Sequence, residues 1–131
     1  DWSSDVCSSD LPGFGGAVRL PRKVGAAAAA EWLYTGATYT AQEAKEIGLV
    51  RQVFEADALV SSVREIANTI ASRAPLAVQA CKRVMVRGLA TDVPTACTFE
   101  QWSFGRLFQT DDMREGTAAF LEKRDPQFKG R

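Results

Sequence analysis

The 131-residue sequence contains no histidine. That excludes a Ser-His-Asp triad, a histidine-ligated metal and a histidine general base. Cysteine is sparse: Cys7, Cys81 and Cys97 form no C-x-x-C pair, which excludes a zinc ribbon and a thioredoxin-type redox motif. An odd, sparse cysteine set fits a reducing compartment, and a cytoplasmic location is expected. No apolar run approaches the roughly 18 residues of a membrane span. No basic start leads into an apolar block, so no signal peptide is expected. Internal repeats and low-complexity linkers are also missing. What is present is ordinary for one globular domain: 46% apolar and 24% charged residues.

The formal net charge is zero, but unevenly spread. Residues 1–11, DWSSDVCSSDL, carry Asp1, Asp5 and Asp10 and no base. Removing these three of 16 acids leaves a net charge of +3. The segment has no helical or strand period and repeats Ser-Ser-Asp. It resembles the translation of a sequencing adapter, so it is set aside from fold reasoning. A disordered polar N-terminus is the alternative. The expected organisation is this non-native segment at 1–11, a first structural region at 12–56 and a helical region at 57–131.

Pro12–Gly16 holds three glycines and reads as a tight loop. Ala17, Leu20 and Val24 then recur at helical spacing, and five alanines with Glu31, Trp32 and Leu33 make a strong helix stopped by Gly36. Thr40 and Glu43 have the spacing of a capping box. Leu49–Phe54 reads as the one credible strand. Asp57 is placed to cap a helix whose Leu59, Val63, Ile66 and Ile70 form one apolar stripe. Pro75 and Pro94 open two more helices, since proline is tolerated in a first turn. The helix at 94–108 carries Phe99, Trp102, Phe104, Leu107 and Phe108 around several sides, which predicts burial on more than one side and a subunit interface. Thr110 caps a last helix with Asp111 and Asp112 in its first turn, and Pro126 is expected to end it. The sequence thus predicts a mostly α-helical segment with one short strand, which needs a partner outside the segment to form a sheet.

Few residues advertise chemistry. The cluster Gly13-Phe14-Gly15-Gly16 lacks the third glycine of a dinucleotide fingerprint, because position 18 is valine, and no Walker lysine-serine pair follows. It is a structural loop or the lining of a ligand pocket. Asp111 and Asp112 are explained by capping, and Glu43 by its capping box. Gly116, inside a helix after Glu115, marks close packing. Lys123, Arg124, Lys129 and Arg131 gather at the C-terminus, either as a solvated tail or as a site for an anionic group such as phosphate. Nucleic acid is not expected without a basic face interleaved with aromatics. No acid–base pair stands out, and physics alone stops at a helical, oligomer-forming segment without a visible catalytic group.

Four motifs in one order add more. They are PGFGG-x-x-R-L-P-R-x-V-G at 12–25, TG-x-x-x-x-A-x-E-A-x-x-x-GLV at 35–50, SRAPLAV at 72–78, and DD-x-x-EG-x-x-AF-x-EKR-x-P-x-F-K-G-R at 111–131. Together they resemble the C-terminal half of the enoyl-CoA hydratase/isomerase, or crotonase, family. The resemblance implies an α/β, ClpP/crotonase-like fold for a longer parent, a spiral core of strand-strand-helix units followed by helices that build a trimer or a dimer of trimers. Residues 12–56 would end that core and 57–131 would form the trimerisation region.

The resemblance also implies an acyl-CoA thioester as substrate, with no separate cofactor and no metal, and an enolate stabilised by two backbone amides. In the family pattern those amides and the catalytic glutamates precede the PGFGG loop. No catalytic residue is therefore assigned in this chain, and Asp5, which falls in one glutamate's slot, is given no role. Phe14 departs from relatives with aspartate at that loop position and suits an apolar acyl pocket. Lys123 matches a lysine that contacts the phosphate-bearing end of CoA, with Phe108 packing nearby. The substrate-binding expectation is thus Phe14, Phe108 and Lys123. Enoyl-CoA hydratase is the leading activity. Enoyl-CoA isomerase, a non-catalytic CoA-binding or oligomer-forming relative, and an independent helical interaction module are the alternatives.

Overall fold

The computed structural model describes residues 12 and 14–131. The adapter-like stretch at 1–11, with Cys7 and Asp5, lies outside the described residues, as does Gly13. The chain divides into two compact units, with the division falling between Leu59 and Val60.

Among the described residues, the first unit contains three helices, α1 (Gly16–Val24), α2 (Ala26–Thr35) and α3 (Ala41–Glu46). A left-handed pair, Phe14 at φ 55° and Gly15 at φ 82°, turns the chain into α1. The Arg19 guanidinium locks this turn by donating to the Phe14 carbonyl at 2.7 Å. Pro21 sits inside α1 and contributes no N–H, but its carbonyl accepts from Gly25 at 3.0 Å and closes the helix end. Gly25 then reverses the chain so that α1 packs on α2. The alanine run makes this close approach possible: Ala29 is only 1% exposed. Gly36 ends α2 in the left-handed region at φ 60°. Beyond it Tyr39 folds back to stack on Trp32, rings 4.0 Å apart, and its hydroxyl meets Thr35 Oγ1 at 2.9 Å.

The capping box forms as its spacing predicts. Thr40 Oγ1 accepts from the Glu43 N–H at 3.2 Å, and Glu43 Oε2 accepts from the Thr40 N–H at 2.7 Å. The strand expected at Leu49–Phe54 does not form, and there is no strand among the described residues. The reason lies in the backbone. The Leu49 and Val50 N–H groups donate to the Ala44 carbonyl, at 2.8 and 3.2 Å, and so wrap the end of α3. Donors used in that way cannot enter a ladder. Residues 51–55 continue as irregular chain.

The second unit contains α4, which starts at the boundary (Leu59–Ala71), α5 (Pro75–Gly88), α6 (Val93–Leu107) and α7 (Asp111–Glu122). The first turn of α4 opens two residues beyond Asp57, and the Leu59 N–H donates to the Glu55 carbonyl at 2.9 Å. The stripe Leu59, Val63, Ile66 and Ile70 forms, yet all four stay exposed. Proline occupies the first turn of both α5 and α6, as expected. Asp92 caps α6 by accepting from Thr95 N–H at 2.9 Å, and this bond lowers its pKa. α5 and α6 pack as a hairpin with Ala80 buried, and Gly88 lies close to the Ala96 methyl. Of the aromatic set on α6, Phe99 is half-buried, whereas Trp102, Phe104 and the capping residue Phe108 remain exposed. The predicted burial on several sides is therefore not met within the described residues.

The last helix, α7, ends at Glu122 and not at Pro126. Lys123 takes a left-handed conformation at φ 55°, which lets the Arg124 N–H reach back to the Ala119 carbonyl at 3.0 Å. The chain turns there and runs back along α7 as an extended tail.

Candidate functional site

The tail is the best-defined polar arrangement in the second unit, and two carboxylates of α7 hold it. Asp112 is 4% exposed. Its Oδ1 accepts from the Lys129 N–H at 2.6 Å and its Oδ2 from the Gly130 N–H at 2.8 Å. Its own N–H donates to the Arg131 carbonyl at 3.1 Å. The explanation of Asp111 and Asp112 by helix capping is thus incomplete. Thr110 does cap α7, accepting from Met113 N–H at 3.1 Å, and Asp111 pairs with Arg114 and Arg131. Asp112 instead clamps residues 17 and 18 positions later. No local pattern could have signalled that pairing.

One turn on, Glu115 accepts both guanidinium nitrogens of Arg124, at 2.6 and 3.0 Å, and the Gln127 N–H at 2.8 Å. The Arg124 hydrogen bonds, reinforced by the Gln127 amide, hold the Glu115 carboxyl at about 2, well below its usual range. The same pair, with Glu122, pushes Arg124 upward. Gly116 marks close packing as its sequence context predicts: a Cβ there would meet the Phe128 ring at 3.4 Å. The C-terminal basic cluster therefore separates. Arg124 and Arg131 are engaged by carboxylates, whereas the Lys123 side chain stands exposed with no described partner.

Phe108 follows α6 and meets Phe104 edge to face, ring centres 5.1 Å apart. Both border a cavity of about 380 Å3 with Ala77, Leu107, Met113 and Thr117. Its walls are apolar apart from the Thr110 and Thr117 hydroxyls and Asp112, and Asp112 faces the tail amides. Lys123 does not line this cavity. Phe14 belongs to the first unit, where its side chain is 97% exposed at the tip of the left-handed turn. The structure thus gives Phe108 an apolar setting, and leaves Phe14 and Lys123 as projecting side chains.

No group of three or more His, Cys, Asp or Glu side chains able to hold a metal gathers among the described residues. No described helix is long and apolar enough to cross a membrane.

The chain is similar in sequence and fold to known proteins. The chain belongs to the enoyl-CoA hydratase/isomerase family, whose model matches residues 10–131. It is 44% identical over 113 residues to a short-chain-enoyl-CoA hydratase of Clostridium acetobutylicum, covering 86% of this chain and 43% of that protein. A crotonyl-CoA hydratase of Syntrophomonas wolfei is 44% identical over 117 residues, 89% of this chain and 45% of that one. The crystal structure of an enoyl-CoA hydratase from Bacillus anthracis superposes with a TM-score of 0.89 at 42% identity, over 92% of this chain and 47% of that one. The chain spans less than half the length of these relatives. The fold is therefore that of the matched part of the crotonase fold.

Proposed function

We propose that the chain is the C-terminal part of an enoyl-CoA hydratase, an enzyme that adds water to a 2-enoyl-CoA through an oxyanion-stabilised enolate. The observation that carries this reading is the family match over 10–131, joined to relatives named as hydratases at 44% identity. In this reading Phe14 lines the acyl pocket and Phe108 packs near the phosphate-bearing end of CoA. Lys123 reaches the phosphates of CoA, for which its exposed ammonium is suited. The acid, the base and the oxyanion amides come from sequence outside residues 12–131. The acyl-CoA is substrate, so the chemistry needs no separate cofactor. The helices of 57–131 form a trimer or a dimer of trimers, in the cytoplasm.

A chimera tests this. Residues 12–131 replace the matching part of the Clostridium acetobutylicum hydratase, and hydration of crotonyl-CoA is followed by loss of the conjugated enoyl absorbance. Hydration by the chimera is the expected result. A folded, oligomeric chimera without activity overturns the assignment. The 131-residue chain alone is expected to show none, since an oxyanion hole is worth about 10²–10³ in rate and acid–base groups about 10²–10⁴. Turnover above background would place the catalytic groups within this chain.

A further inference from the structure

A second cavity, of about 270 Å3, opens between α5 and α6 and is lined by Arg83, Arg87 and Arg106. We propose that it is a binding site for a diphosphate group. None of the three guanidinium groups pairs with a described carboxylate. Cations that gather without partners repel one another, and an anion relieves that repulsion. The site also has a preset element. Arg87 lies over the Phe99 ring, 5.3 Å from its centre, and this contact orients its planar fork. The hydroxyls at the cavity wall are committed elsewhere: Ser103 donates to the Phe99 carbonyl and Thr110 to the Leu107 carbonyl. The donors facing a ligand are thus the arginines, whose forks match phosphate oxygens two at a time. A free diphosphate carries about three negative charges at neutral pH and its diester about two, spread over two phosphoryl groups that separate guanidinium forks can engage. The apolar wall from Leu76 and Leu107 leaves room for the body of a larger molecule bearing that group. The cavity does not include Lys123 or Phe108, and it adjoins the Phe108 cavity through the shared Leu76, Leu107 and Thr110.

The test is equilibrium dialysis of inorganic pyrophosphate against the folded chimera described above, which carries residues 12–131. Saturable, salt-weakened binding is expected, and R83Q/R106Q should weaken it by about tenfold or more, because charge-assisted contacts are lost while the Arg87–Phe99 stack is kept. R22Q, in α1, should leave it unchanged. If R83Q/R106Q loses helical circular dichroism, R83K/R106K decides the matter, since it keeps the charge and loses the fork. Weaker binding by that variant supports the site. CoA serves as a second probe. Displacement of pyrophosphate by CoA assigns the site to the diphosphate of a larger ligand, and failure to displace assigns it to a free diphosphate. No saturable binding, or equal affinity in the arginine variants and the unaltered chimera, overturns the proposal.

Discussion

Glu115 shows how one side chain converts proximity into order. Its carboxylate receives a bidentate guanidinium and a backbone amide, and its pKa falls to about 2. Because the folded value lies below the unfolded one, near 4.5, the stabilisation it provides is complete above that pH. It is lost as pH falls toward about 2. The Gln127 amide resonance should therefore titrate with a midpoint near 2, and a midpoint near 4.5 would mean the contact is absent in solution. Lys123 differs, because nothing in the described structure holds its ammonium. If it contacts CoA phosphates remote from the reacting carbons, Lys123→Ala in the active enzyme should raise KM for an acyl-CoA about tenfold and leave kcat unchanged. An acyl-pantetheine substrate lacks those phosphates and should be unaffected. Equal losses on both substrates would assign Lys123 a structural role. The roles of these two residues were unequally legible in the sequence. Lys123 stood out through the C-terminal basic cluster and a motif, and Glu115 through the glycine beside it. Asp112 looked like a helix-start acid because its partners lie 17 and 18 residues away.

At the scale of elements, local rules worked where the determining contacts are local. Thr40 and Glu43 are three residues apart and close their reciprocal bonds without help from elsewhere. Thr40→Ala should destabilise α3 by about 1 kcal/mol. Hydrogen exchange at the Glu43 and Ala44 amides should speed up accordingly, and unchanged exchange would show that tertiary packing, not the cap, holds this helix. The prolines opening α5 and α6 and the glycine closing α2 are legible for the same reason. Leu49–Phe54 failed because strand character is conferred by a neighbour. Without one, the first two amides were taken by Ala44. The end of α7 failed because Lys123, not the proline downstream, adopts the left-handed turn. A lysine gives no sequence signal for positive φ, since the conformation is stabilised by the tail it releases.

Over the whole molecule, the decisive feature is apolar surface left uncovered. No residue of α4 or α6 is buried, and Val60, Ile70, Trp102, Phe104, Phe120 and Leu121 are all more than half exposed. Faces of this extent drive association. The isolated chain should sediment as an oligomer or aggregate and melt without a sharp transition. A monodisperse monomer with cooperative melting would show that the two units are self-sufficient.

The sequence by itself determined the helices, the Thr40 and Thr110 caps and the family, because each rests on residues within a few positions or on motifs in linear order. Tertiary structure alone decided that Asp112 and Glu115 hold the tail, that Lys123 is left free while Arg124 is not, and that Arg83, Arg87 and Arg106 share one cavity. The physical reason is the same in each case. These are pairings of groups distant along the chain or on facing helices, and a hydrogen bond or a field between charges depends on distance in space, which spacing in sequence does not encode.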